Sequence, residues 1–277
     1  MRWRLSLALI LSASASLADP LTYLRSVPLA GLGGVSAVEV EADGNAALVL
    51  SDRGTAHRFA ILRDGQTGRI EDVARVKLPF PDRDTEGLAV LGGKTFISYE
   101  DPAEISTLGG QILPSPREFH ALPSNSALEA LAVTRDGVVY TLPENPRNKG
   151  QPIPIYRYQD KRWSVAAHLP RSDGFMPTGA DFGPDGLLYI LERSFSALGF
   201  RTRIRRIDLG VEPPVAETLL KTKLGTHDNL EGLSVWRSDS GATCLTMVSD
   251  DNFLSVLRSE LVEYALTETL AGGARCD

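Results

Sequence analysis

Glu86, Glu129 and Glu231 each open a short apolar run. After a turn, each is followed by a second run that ends on another acid: Glu100, Glu144 and Asp250 respectively. Looser copies run from Ser36 to Asp52 and from Thr178 to Glu192. Eight carboxylates thus recur at matching places: Asp52, Glu86, Glu100, Glu129, Glu144, Glu192, Glu231 and Asp250. Carboxylates brought together raise one another's pKa or require a cation. Acid and amide oxygens are plentiful here and the chain has only 4 histidines, so the donor set suits a hard divalent metal, calcium above all. Such an ion polarises an ester oxygen and lowers the pKa of bound water. Glu86 and Glu231 are the expected core of that site. Arg53, Arg147 and Arg193 follow the second-run acids closely enough to hold an anionic group of a substrate. His227, in His227-Asp228-Asn229 beside Glu231, is a candidate general base. An acidic rim that is merely solvated and salt-bridged is the competing reading.

The elements that must position these residues follow from the repeat itself. The copies begin at Ser36, Glu86, Glu129, Thr178 and Glu231, which by subtraction are 43 to 53 residues apart. Each copy holds short runs rich in Val, Ile, Leu and Ala between tight turns such as Gly92-Gly93 and Arg135-Asp-Gly137, the pattern of strands rather than helices. A repeat of this period built from four strands predicts an all-β fold, a β-propeller. Five blades are counted, six being the alternative. In an antiparallel meander the start of the first strand lies beside the end of the second, so the recurring acids share one face near the central channel. The last copy lacks a fourth strand, and Leu21–Val27 is expected to supply it, pairing the two ends of the chain and closing the ring without exposed edges.

Met1-Arg-Trp-Arg4, an apolar run to Leu11 and the small residues Ser16-Leu-Ala18 predict a signal peptide over residues 1–18. One propeller domain over 19–277 and a periplasmic or secreted location follow. The chain has 277 residues, 43% of them hydrophobic, and a net charge of -6, which becomes -8 once Arg2 and Arg4 are removed with the leader. That balance argues against nucleic-acid binding. No later stretch is long enough to span a membrane. The expected partner is a small-molecule substrate or ligand, neutral or anionic, bound by a monomer. Cys244 and Cys276 are the only cysteines, and export permits them to pair; two unpaired thiols are the alternative.

The stretches Asp84-Thr-Glu-Gly-Leu-Ala-Val90, Tyr99-Glu100, Asn125 to Val133 with Glu144-Asn-Pro-Arg147, Leu191-Glu-Arg193 and Asn229-Leu-Glu-Gly232 together resemble the phytase-like, "esterase-like activity of phytase" family of exported propellers. The resemblance spans essentially the whole mature chain. It implies a polar, metal-capable central face and a hydrolase activity. Two departures separate this chain from phytate hydrolysis. Phytase-like propellers are usually thought of as six-bladed, and Glu100-Asp101-Pro102-Ala103 is only a short echo of the acidic Asp-Asp-Pro-Ala run of true propeller phytases. The leading expectation is a metal-dependent hydrolase of a phosphoester or carboxylic ester. The alternatives are a non-catalytic, calcium-stabilised binding propeller and a lactonase.

Overall fold

The computed structural model describes residues 19–124, 126–145, 150–254 and 256–277. The expected signal peptide, residues 1–18, and Arg147 lie outside the described residues. Five antiparallel sheets stand around a central axis. Blade one is β2 (Val35–Val40), β3 (Ala46–Ser51), β4 (Thr55–Asp64) and β5 (Thr67–Val76). Blade two is β6 (Thr85–Leu91), β7 (Lys94–Tyr99) and β8 (Glu104–Thr107). Blade three is β9 (Ala130–Val133), β10 (Val139–Leu142), β11 (Ile153–Gln159) and β12 (Arg162–Leu169). Blade four is β13 (Met176–Phe182), β14 (Leu188–Ser196), β15 (Gly199–Asp208) and β16 (Val215–Lys221). Blade five is β17 (Asn229–Arg237), β18 (Thr243–Asp250) and β19 (Glu260–Leu266), completed by β1 (Leu21–Pro28).

The ring closes as the repeat predicts. β1 runs antiparallel to β19 from Leu21 opposite Leu266 to Pro28 opposite Glu260, so the edge of β19 is covered at the seam. Cys244 and Cys276 form a disulfide across a Cα–Cα distance of 5.9 Å, tying the C-terminal tail to β18. Arg25 on β1 donates to the Cys276 carbonyl at 2.9 Å.

Blade two departs from the four-strand expectation. Where a fourth, outer strand would fall, the chain instead forms a 3-10 turn over Phe119–Ala121. Pro114, Pro116 and Pro123 remove backbone donors that a fourth strand would need. Phe119 is buried edge-on against Tyr156 and Trp163 of blade three, so the segment still seals the gap between blades.

Each interface between neighbouring blades carries its own apolar core. Trp236, Val35 and Phe59 pack between blades five and one, Tyr189 and Met247 between four and five, and Leu131 and Phe96 between two and three. At about 1.5–3 kcal/mol for each fully buried large apolar side chain, these interfaces hold the ring together. They leave the first strands β2, β6, β9, β13 and β17 side by side around the axis. What remains there is a void of about 10 Å³, room for about one water-sized sphere.

Candidate functional site

Four of the five innermost strands carry a register shift at the same place. The pairing skips at Ser36 in β2, at Glu86-Gly87 in β6, at Thr178 in β13 and at Glu231 in β17. Such a bulge re-aims one side chain, and here the re-aimed residues are those that open each sequence repeat. Glu129 stands just ahead of β9 in the equivalent place. Together Ser36, Glu86, Glu129 and Thr178 line the top of the axial void. The two hydroxyls do not face a ligand. Ser36 Oγ donates to the Thr85 carbonyl at 2.7 Å, and Thr178 Oγ1 to the Leu230 carbonyl at 3.2 Å, so each stitches its blade to the next.

The glycine after the bulge explains the Glu-Gly spelling. A Cβ at Gly87 would lie 2.6 Å from Leu131 Cβ and 2.6 Å from Ser98 Oγ, and one at Gly232 would lie 2.7 Å from Ala37 Cα. Only glycine lets neighbouring inner strands approach this closely.

Second-strand ends meet the bulged acids on the same face. Asp250 is opposite Asn229, Glu100 N donates to the Asp84 carbonyl, and Asp52 N donates to the Gly34 carbonyl. In blade four the same register places Arg193, opposite Met176, at this position. Glu192, expected as a ligand, is one residue off and therefore points to the other side of the strand. Its side chain is 0% exposed and takes four hydrogen bonds from Arg203 and Arg205, at 2.6–2.9 Å. It is a buried structural ion pair and not part of the mouth.

Arg193 faces the mouth and makes three hydrogen bonds there. Nη2 donates to Glu144 at 3.0 Å, and Nη1 donates to Asn229 at 2.6 Å and also to Glu231. Asn229 Nδ2 completes the set by donating to Glu231 at 2.8 Å. This side of the mouth is held by a cation, one guanidinium shared by two carboxylates.

The other side is not. Asp84, Glu86 and Glu100 each offer a carboxylate oxygen, and the three atoms lie within 4.8 Å of one another. Asp84 Oδ1 is buried and has no hydrogen-bond partner. Carboxylates this close are relieved by a shared proton or by a bound cation. Burial, then Asp84 and Glu144, push the Glu100 carboxyl up to about 7. Burial, then Glu129 and Glu231, hold Glu86 well above the usual carboxylate range. Glu129 is raised likewise by burial and then by Glu144 and Glu231, with Arg193 opposing. Burial takes Glu231 to about 7 against the pull of Arg193, and Asp250 to about 6. Asp52 is raised mainly by burial.

The remaining candidates are placed elsewhere. His227 turns away from Glu231 into the outer part of blade five, where its ring packs on Tyr23 and Nε2 meets the Tyr264 hydroxyl at 2.7 Å. Burial lowers its pKa. It is a packing residue, with no acid of the mouth in hydrogen-bond contact. Arg53 sits beside Asp52, but its guanidinium stacks on Phe253, 3.3 Å from the ring centre. Asp84 was not among the expected ligands. The signal for it was the acid-x-acid spacing of Asp84-Thr-Glu86, which matches Asn229-Leu-Glu231 in blade five.

The family described as "Phytase-like: Esterase-like activity of phytase" matches residues 30–253. The chain belongs to this phytase-like family. No curated protein matches the chain. Among solved structures it is similar to a calcium-binding protein, regucalcin, from Agrobacterium tumefaciens str. C58, with a TM-score of 0.50 at 10% identity, covering 90% of this chain and 97% of that one. At that identity the likeness concerns the fold alone. A structure of YCF48 bound to D1 peptide matches with a TM-score of 0.36 at 14% identity over 86% of this chain and 83% of that one. A Bacteroides caccae protein of unknown function matches with a TM-score of 0.37 at 14% identity, over 80% of this chain and 70% of that one. In this phytase-like chain no helix of the described residues is long and apolar enough to cross a membrane.

Proposed function

We propose that this phytase-like propeller is an exported, metal-dependent hydrolase whose reaction takes place at the carboxylate mouth, on a carboxylic ester in preference to a phosphoester. The observation that carries the reading is the Asp84, Glu86 and Glu100 group with its unpartnered buried oxygen. Three buried or half-buried acids this close are stable together only when protonated or when a cation sits among them. All donors are carboxylate oxygens, which suits calcium or another hard divalent ion. When bound, such an ion polarises the ester carbonyl and activates water.

The chain's own residues would divide the remaining work. Glu231, held by Asn229 and Arg193, has a carboxyl near neutrality and is positioned to accept or return a proton. Arg193 fixes Glu231 and Glu144 through Nη1 and Nη2, while Arg53 lies over Phe253. The surrounding acids repel a phosphate. A neutral carboxylic ester, open-chain or lactone, meets no such barrier. The Cys244–Cys276 disulfide supports an oxidising, extracytoplasmic setting.

The test is a panel of 4-nitrophenyl carboxylic esters, lactones and 4-nitrophenyl phosphate with calcium or chelator. Carboxylic ester or lactone hydrolysis that needs calcium and is lost in Glu86→Gln is the expected result. A calcium-dependent rise in melting temperature without turnover of any substrate would make this a binding propeller. No calcium effect at all would remove the metal from the reading.

A further inference from the structure

The apolar side chains exposed on the mouth face are not scattered. The β14–β15 hairpin and the loop before β19 together present Phe195 at 67%, Leu198 at 83%, Leu254 at 54% and Val256 at 83% exposure. On the outer strands, by contrast, Val73, Val165 and Val215 are exposed singly, which is ordinary. The two loops wall a cleft of about 650 Å³ whose floor is Glu144, Arg193 and Asn229. The cleft therefore shares its floor with the side of the carboxylate mouth that Arg193 holds. Its volume falls within the range of small-molecule sites, about 300–1,000 Å³. Phe195 and Phe200 pack with their rings tilted by 44° and centres 5.1 Å apart, which stiffens one wall.

We propose that this cleft seats the apolar arm of the substrate, a medium-length acyl or aryl group, and so selects hydrophobic esters over short ones. The inference rests on the hydrolase reading for the ester head group and on the cleft for the arm. A wall of apolar side chains running down to a polar, charged floor matches a ligand that is apolar at one end and oxygen-bearing at the other. An arm laid between Phe195 and Leu254 leads its carbonyl toward Arg193 and Glu231, next to the unbalanced acids. A second protein or a lipid surface would have to reach past these loops to touch the floor, whereas a small amphiphile fills the cleft and reaches the mouth together.

The experiment separates arm binding from turnover. N-methyloctanamide and N-methylacetamide, which resist hydrolysis, are titrated into the calcium-loaded protein by calorimetry. Turnover of 4-nitrophenyl octanoate and acetate is measured in parallel. The octanamide should bind at least tenfold more tightly and the octanoate should show at least a tenfold higher kcat/KM. Leu254→Ser with Val256→Ser, both at exposed loop positions, should erase both preferences and leave the calcium-induced melting shift unchanged. Equal binding of the two amides overturns the proposal, even if both esters are cut. Octanamide preference without turnover of either ester supports the cleft and sinks the hydrolase reading. Apolar-dependent binding to phosphatidylcholine vesicles, with none to the monomeric amide, overturns the proposal in favour of a lipid surface.

Discussion

Arg193 of blade four donates to Glu144 of blade three at 3.0 Å, and this contact divides the mouth into two unequal halves. On its side Glu144, Asn229 and Glu231 are satisfied. Across the axis Asp84, Glu86 and Glu100 have no cationic partner among the described residues. The two halves should respond differently to the loss of one charge. Glu86→Gln is expected to relieve repulsion, raise the melting temperature of the chelated protein and abolish the calcium-induced rise. Glu144→Gln should lower the chelated melt by leaving Arg193 underpaired and retain most of the calcium response. Paired thermal melts with calcium and with chelator read both outcomes, and equal behaviour of the two variants would remove the asymmetry.

Stability should depend on pH with an unusual sign. The ordinary value for Glu231 and Glu100 is 4.5, and in the folded protein both lie at about 7. The native state therefore holds more protons than the unfolded state between those values, and stability falls with rising pH wherever that is so. The contribution is complete below pH 4.5 and is lost as pH rises through 7. The chelated protein should melt lower at pH 8 than at pH 6, by about 2–4 °C for each kcal/mol lost. Calcium should displace the same protons, so its stabilisation should grow over that window, with proton release visible by calorimetry in buffers of different ionisation enthalpy. A chelated melt that rises from pH 6 to 8 would contradict the burial of these acids.

Glu192 offers the opposite test. With both oxygens held by Arg203 and Arg205, Glu192→Gln leaves two buried guanidinium groups short of an anion. Breaking a buried pair in this way costs about 3–5 kcal/mol. Denaturant unfolding should show that loss, while the difference between calcium and chelated melts persists. A stable variant that has lost its calcium response would return Glu192 to the mouth.

These two acids also show what the sequence could and could not reveal. The repeat starts were legible because each bulge leaves an acid or hydroxyl followed by a small residue ahead of an apolar run. Closure of the ring was legible from one missing strand. The second-strand position in blade four was not, because strands alternate with period two and a shift of one residue exchanges Glu192 for Arg193. Spacing cannot fix that register when turn lengths differ between blades. His227 looked catalytic by its neighbours Asp228 and Asn229, yet its partner, Tyr264, lies 37 residues away on β19. The exposed apolar loops were present in the sequence as Phe195, Leu198, Leu254 and Val256, but only the fold brings the two loops to one cleft.

The disulfide closes a separation of 32 residues between β18 and the tail. Constraining a loop of that size is worth about 2–4 kcal/mol. Cys244→Ala with Cys276→Ala should lower the denaturation midpoint accordingly and leave calcium binding intact, since both residues lie in the core between blades five and one. No change in midpoint would mean that β1 and Arg25 anchor the tail by themselves.

Gly87 links packing to the site most directly. A methyl group there meets Leu131 Cβ and Ser98 Oγ at 2.6 Å and the Glu129 carbonyl at 3.0 Å. Ser98 cannot simply step aside, because its hydroxyl accepts from Gly87 N at 2.8 Å and donates to the Leu128 carbonyl at 2.7 Å. Gly87→Ala must therefore push β6 and β9 apart, and overpacking of this kind costs about 1–3 kcal/mol. The same displacement shifts the adjacent Glu86 relative to Asp84 and Glu100, so calcium affinity should fall along with stability. Gly109→Ala is the control. Its new methyl would meet only Thr107 Oγ1, at 3.7 Å, and should alter neither property. Calorimetric titration of both variants with calcium, beside their unfolding curves, decides the matter. A Gly87→Ala protein that loses stability but binds calcium with undiminished affinity would mean that the acids are positioned independently of the inner-strand packing.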